Sequence, residues 1–445
     1  MIRLDESQHE KMVHETDALR EKWADLSADD RLSSFLKVER AAAEEFFLTL
    51  KTDEQAELLI GLPVFERRFW LRILPPDDLA DLIQEFEPEL RYAMLAELDP
   101  RLGKEVAALL AYAEDQAGGL MNPRFARIRP EMQVGEALRY LRKQAHENLE
   151  NLRFIYVLDR DQKLLGAVSL REIFLAPDQK LVQDIMRTNL VEANENMDQE
   201  ALKQLFASHG LMAIPIVDSA GRMKGIVTAD DIVDVVEEEA TEDIQRMAGV
   251  EVLDAPYLKI NLLSMIKKRA GWLIILFLGE MLTATAMGYY EHEIKRAVVL
   301  ALFIPLIISS GGNSGSQAST LVVRAMALGE VRLRDWWKVL GREIFVGVAL
   351  GFILGSIGLL RILIWPSRES LYGEHYVLIG VTVATSLVGV VLWGSLSGSM
   401  LPFVLKKCRL DPATASAPFV ATLVDVSGLI IYFTMASLIL RGALL

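Results

Sequence analysis

Along the first hundred or so residues, apolar positions recur three and four apart, as in Leu32, Phe35 and Leu36 and again in Phe46, Phe47 and Leu50. That period predicts helices. Prolines then fall at an even interval: Pro63, Pro75-Pro76, Pro88 and Pro100, 12 residues from one to the next. Proline cannot continue a helix, so the interval predicts short helices, each stopped at a proline and stacked as an all-α superhelical domain over residues 1–118. No chemistry is visible in that stack.

The pattern changes over residues 119–240, where short apolar runs alternate with turn residues and the whole arrangement occurs twice. Ile155-Tyr156-Val157-Leu158-Asp159 leads to Gly166-Ala167-Val168 and Ile173. Ile214-Pro215-Ile216-Val217-Asp218 leads to Gly225-Ile226-Val227 and Ile232 at a constant offset of 59 residues. Each copy reads as helix, strand, turn, strand, helix, a small α/β unit. The duplicated pattern resembles a tandem pair of cystathionine-β-synthase (CBS) domains. Such modules bind adenine nucleotides or ions. In them a Thr/Ser-x-x-Asp element contacts a ribose, and here Thr228 and Asp231 match it. The first copy has Ser169 and Glu172 instead. An ATP-like nucleotide is therefore a regulatory ligand that the resemblance implies for the second copy.

Residues 241–268 are expected to form a linker helix that begins acidic and ends on Lys267, Lys268 and Arg269. Acids at the start of a helix also suit its dipole, which is the plainer reading of that segment. Beyond it, residues 269–445 carry five apolar stretches, near 270–290, 297–323, 344–365, 376–405 and 416–440, each about the length a bilayer requires. Lys and Arg concentrate before the first stretch, between the second and third, and between the fourth and fifth. This places the N-terminal half in the cytosol and the C-terminus outside. Residues Met1 to Arg20 are charged throughout, so no signal peptide is expected.

Charge sharpens this division. The chain has 61 acidic and 47 basic residues; 10 and 13 of them fall after residue 269, leaving 51 and 34 before it. The acidity belongs to the cytosolic half, where it serves solubility or cation binding. A single cysteine, Cys408, excludes an internal disulfide framework. His9, His14, His146, His209, His292 and His375 are scattered, which argues for a hard, oxygen-liking cation over a zinc-type site. Walker A, Gly-x-Ser-x-Gly and His-Glu-x-x-His motifs are absent, and no enzyme activity is expected.

Candidate chemistry concentrates in two membrane stretches. Asp425 lies deep in the last, where a carboxylate costs a few kcal/mol, about 3 on insertion scales. Ala421 is one turn before it on the same face. Pro418 is expected to free a backbone carbonyl near the start of that span. In the second stretch, Pro305 and the run Gly311-Gly312-Asn313-Ser314-Gly315-Ser316-Gln317 either break the helix beside a wet cavity or pack it closely against a neighbour. Asn313 and Gln317 share a face. Glu280 is a second intramembrane acid, functional or structural. Asp425 could equally be bonded to a neighbouring helix, through Asn313 or a hydroxyl.

These runs, with Arg324-Ala325-Met326-Ala327-Leu328-Gly329-Glu330, Asp411-Pro412-Ala413 and Pro418-Phe419-Val420-Ala421-Thr422-Leu423-Val424-Asp425, resemble the MgtE family of magnesium channels, over nearly the whole chain. The resemblance implies a homodimer importing Mg²⁺ along its two-fold axis. Asp425 and the Ala421 carbonyl would hold the hydrated ion. Mg²⁺ bound by cytosolic acids would close the gate, the ligands coming from Asp230, Asp231, Asp234, Glu237, Glu238 and Glu239 and, more weakly, Asp77, Asp78 and Asp81. Ala417 stands where some relatives have Asn, which leaves other divalents (Co²⁺, Mn²⁺, Zn²⁺) and ion-coupled exchange as alternatives. A membrane-anchored nucleotide sensor that transports nothing is the rival from another class. The expected partners are a second copy and membrane lipid; nucleic acid is not expected.

Overall fold

In the computed structural model of the protein, the evenly spaced prolines start helices where the sequence pattern predicts them to stop helices. Residues 16, 19–23, 25–145, 149 and 151–441 are described. The first residues of the N-terminal domain, with His9 and His14, as well as His146 and residues 442–445, lie outside them. The chain divides into two compact units, 1–236 and 237–445.

In the first unit, short helices follow one another: α1 (Ala28–Phe35), α2 (Arg40–Leu48), α3 (Thr52–Gly61), α4 (Val64–Ile73), α5 (Pro76–Gln84), α6 (Pro88–Glu97) and α7 (Pro100–Leu109). Pro76, Pro88 and Pro100 occupy the first turns of α5, α6 and α7. There the missing N–H leaves no hydrogen bond unmade and the fixed φ favours initiation. Alternate helices stack, α3 on α1, α5 on α3 and α7 on α5. Phe35, Phe47 and Trp70 fill the space between them, with the rings of Phe47 and Trp70 5.1 Å apart.

The repeat follows as two three-stranded sheets. In the first, β1 (Arg127–Ile128) runs parallel to β2 (Phe154–Leu158), which pairs antiparallel with β3 (Leu164–Ser169); α8 (Val134–Gln144) and α9 (Leu170–Leu175) complete the copy. The second repeats this with β4 (Ala193–Asn194), α10 (Gln199–His209), β5 (Ala213–Val217), β6 (Met223–Thr228) and α11 (Ala229–Met247). The register is duplicated: Ile155 faces Val168, and Ile214 faces Val227. The leading two-residue strands are too short to leave a periodic signal in the sequence. Asp159 and Asp218 close the two turns, accepting backbone N–H bonds from Asp161 and Lys163 and from Ala220 and Arg222.

The helix expected over 241–268 is shorter. Helix α11 ends at Met247, and Gly249, at φ +72°, turns the chain through a non-helical segment. Helix α12 begins at Leu262. Before the turn, the Arg246 guanidinium bonds both Glu242 and Asp411, tying the end of α11 to the loop before the last span.

Five helices are long and apolar enough to cross a membrane: α12 (Leu262–Tyr289), α13 being the short Glu291–Arg296 piece after it, then α14 (Ile304–Ala327), α15 (Trp336–Ile364), α17 (Tyr376–Lys407) after the short α16 (Arg368–Tyr372), and α18 (Ala417–Ile439). The second span is not broken. Pro305 falls in the first turn of α14, and the helix runs unbroken through all its glycines. Those glycines serve close packing. A Cβ on Gly394 would stand 2.2 Å from the Gly311 carbonyl oxygen, and one on Gly398 2.0 Å from that of Gly315. Across the same contact Ser314 and Ser395 share a hydrogen bond of 2.7 Å. Helix α15 meets α17 in the same way, at Gly351 and Gly355. Helix α17 is thus the post against which α14, α15 and α18 pack.

Replacing Gly398 by Val should lower the stability of the membrane unit by about 1–3 kcal/mol, because the obstructing atom is backbone. Gly341→Ala, at a position with open space around it, should cost nothing. Thermal unfolding of the detergent-solubilised protein checks both.

Candidate functional site

Asp425 owes its position to the start of α18. Ser416 caps that helix, accepting from the Phe419 N–H at 3.3 Å, and the Trp272 indole N–H donates to the same hydroxyl at 3.2 Å. Two hydroxyls of α14 fix the segment: Ser319 donates to the Ala415 carbonyl at 2.8 Å and Ser316 to that of Ala417 at 3.1 Å. Pro418 lies in the first turn of α18, so it strands no carbonyl, contrary to the sequence expectation. The chain needs no break there to present oxygens.

Two turns in, Ala421 and Asp425 lie against the backbone of α14 at Gly312. A Cβ on Gly312 would be 3.4 Å from the Ala421 methyl and 3.9 Å from a carboxylate oxygen of Asp425. Gly311, Gly312 and Gly315 are on the buried side of α14, together with Ser314 and Ser319. The face bordering Gly312 exposes Ser309, Asn313, Gln317 and Thr320, with Asn313 donating to Ser309 at 3.4 Å. A membrane-spanning helix with a polar stripe uncovered by its own chain must front water or another polypeptide, since hydrocarbon cannot satisfy amides and hydroxyls.

The polar neighbour of Asp425 is another acid, in place of the amide or hydroxyl considered from the sequence. The carboxyl of Glu280 on α12 comes within hydrogen-bonding reach of it. The two helices meet closely at Gly279, where a Cβ would be 2.8 Å from Thr422. Spacing along one helix cannot reveal a partner on another, so the sequence marked Glu280 without its partner.

A second acidic group lies in the first unit. Asp78, on α5, reaches solvent from a crowded recess. Crowding, then the charges of Asp230 and Asp234 at the start of α11, push its carboxyl up to about 6. Asp231 is pushed up to about 7, by burial first; the backbone and side-chain hydrogen bonds from Thr228 oppose this, and Asp230 and Asp78 add to it. Thr228 is buried and bonds the Asp231 carboxylate through both its N–H and its hydroxyl, each at 2.8 Å. Asp77, adjacent in sequence, plays a different part: it is buried and accepts from the Asn122 amide at 3.0 Å. Asp81 is exposed on α5, and Glu237, Glu238 and Glu239 follow along α11. Among the described residues no three or more His, Cys, Asp or Glu side chains converge as a metal cage. In the first copy, hydrogen bonds from Ser169, then the Arg187 guanidinium, hold Glu172 down at about 2.

Sequence profiles match along the chain: the MgtE intracellular N domain over residues 14–115, the CBS domain over 117–178 and 182–238, and the MgtE divalent cation transporter domain over 304–435. The chain is 38% identical over 433 residues to the magnesium transporter MgtE of Thermus thermophilus, covering 97% of this chain and 94% of that one. It is 29% identical over 436 residues to the magnesium transporter MgtE of Enterococcus faecalis, covering 89% and 93%. Among solved structures, the cytosolic domain of the Mg²⁺ channel MgtE in complex with ATP matches 49% of this chain and 90% of its own, at 38% identity and a TM-score of 0.47.

The raised carboxyls give this unit a pH dependence of definite sign. Asp78 and Asp231 hold protons in the fold up to about pH 6 and 7 but release them near 4 when unfolded, so the folded form binds more protons in that window. Stability should therefore fall as pH rises from about 4 to about 7. Glu172 and Asp218, held near 2, act in the opposite sense and only below about pH 4. Denaturant midpoints of the first unit at pH 5 and pH 8 in a chelator should differ in this direction, and Asp78→Asn should narrow the gap.

Proposed function

That the chain belongs to the MgtE family of divalent cation transporters is the premise from which we propose that it is a Mg²⁺ channel, closed by Mg²⁺ at its cytosolic side. The observation that carries this reading is the uncovered polar stripe of α14 beside Asp425. A second copy related by a two-fold axis encloses that stripe, since such symmetry is the commonest in oligomers. The pathway then runs between the two copies of α14 and α18. Mg²⁺ sheds water reluctantly and takes few protein oxygens. Asp425 holds it through its carboxylate, with the Ala421 carbonyl, Asn313 and Gln317 facing its water shell. In this reading the acidic half lies in the cytosol and the C-terminus outside, as the basic loops between spans favour, and the membrane potential, negative inside, drives import across the cell membrane.

Gating follows from the second cluster. Asp78, Asp230 and Asp234 repel one another, and that repulsion adds to burial in raising the Asp78 carboxyl. Mg²⁺ between them offsets the repulsion and draws α5 and the first turns of α11 together, with Asp231, Glu237, Glu238 and Glu239 as further oxygen donors. To move a gate from 1:99 to 99:1 the bound ions must favour the closed form by about 5.5 kcal/mol in total, within reach of a few carboxylate-bridged ions. An adenine nucleotide is a second regulator in this reading, taken by the second copy at Thr228 and Asp231.

In liposomes holding the purified protein, Mg²⁺ flux should be high when the cytosolic face sees little Mg²⁺ and fall when it sees much. Asp425→Ala should reduce the flux about 100-fold, equivalent to ~2.7 kcal/mol. The triple variant Asp78→Asn, Asp230→Asn, Asp234→Asn should still conduct at cytosolic Mg²⁺ that closes the parent protein. Undiminished flux in Asp425→Ala would remove that residue from the pathway, and competition by Co²⁺, Mn²⁺ or Zn²⁺ would set the selectivity.

A further inference from the structure

We propose that Glu280 is a second ion-handling carboxylate of the pathway, which with Asp425 sets its preference for divalent over monovalent cations; this rests on the transport reading above.

Four observations converge on it. Glu280 stands on α12, a helix with little of its surface covered, at a level where a carboxylate facing hydrocarbon is costly. Exposed on its own chain, its carboxyl comes within hydrogen-bonding reach of Asp425. The approach is built: Gly279 lets α12 come so near α18 that any Cβ there would press on Thr422 at 2.8 Å. Gly279 and Thr283 are one turn apart and share the face toward α18. Thr283 is the buried residue of α12, and its hydroxyl has no hydrogen-bond partner among the described residues. The contact between α12 and α18 therefore brings two acids together, and one turn along from Gly279 it buries a hydroxyl that no described neighbour satisfies.

The chemistry of such a pair favours a doubly charged ion. Coulomb attraction scales with the charge of the ion, so each added carboxylate strengthens binding of a divalent twice as much as that of a monovalent. One carboxylate per copy already attracts Mg²⁺ more strongly than Na⁺ or K⁺, and two widen that margin. Glu280 acts across the helix contact, either on the ion directly or by holding the Asp425 carboxylate toward it.

The test uses the full-length protein in liposomes, with Mg²⁺ kept low at the cytosolic face and Mg²⁺ and Na⁺ fluxes measured separately. Two pairs of variants differ in charge at nearly constant shape: the parent Glu280 against Glu280→Gln, and Glu280→Asp against Glu280→Asn. In each pair the neutral member should need about tenfold more Mg²⁺ for half-maximal flux. That rise should exceed the change in maximal rate, and Na⁺ flux should become measurable. If Glu280→Gln fails to assemble, the Asp and Asn pair supplies the same comparison. Equal half-saturation and equal Na⁺ exclusion within a pair, with flux lost in Asp425→Asn, would overturn the proposal and leave the channel reading intact. Flux retained in Asp425→Asn would overturn both.

Discussion

Carboxylates crowded together away from bulk water are unstable without a cation, and both candidate sites of this chain are built on that instability. In the membrane unit Asp425 and Glu280 meet across two apolar helices. In the first unit Asp78 faces Asp230 and Asp234, with the half-buried Asp231 beside them. A proton relieves such a group one charge at a time. A divalent ion relieves two, so under the proposed function the same arrangement would serve as a permeation site in one unit and a sensor in the other.

The rest of the fold holds these acids in place against their repulsion. In the membrane unit the rigidity comes from backbone contact. Glycines bring α14 and α15 so near α17 that carbonyl oxygens of one helix stand where side chains of the other would begin. Such packing has few alternative arrangements. The two serine hydroxyls of α14 that hold the carbonyls of Ala415 and Ala417 carry this rigidity to the start of α18, and so to Asp425. In the first unit the counterpart is the buried bond between Asp77 and Asn122, which fixes α5 and leaves the adjacent Asp78 turned toward α11.

Much of this was legible in the sequence, because the strongest signals are periodic. The 59-residue offset of the repeat became an identical strand register in both copies, and five apolar stretches became five helices. Signals with two physical meanings were read less well. Proline both ends and begins helices, and at Pro76, Pro88, Pro100 and Pro418 it begins them. The glycines of α14 could loosen a helix or let another approach, and the structure takes the second course. The linker pattern ran on past Met247 because its charges stay helix-compatible, yet a single left-handed glycine ended it. Contacts across helices left no trace at all: the partner of Glu280, and the division of labour between Asp77 and Asp78, depend on which residues of distant segments meet.

The Arg246 fork has a consequence of another kind. It joins the end of α11 to Asp411, a few residues before α18, through half-exposed charges rather than apolar contact. Mobile ions shield charge over about 8 Å at physiological ionic strength and over less as salt rises. The glycine contacts of the membrane unit feel no such shielding. The attachment of the linker to the last span through Arg246 is therefore a part of this architecture that weakens in a concentrated electrolyte, while the glycine-packed helices do not.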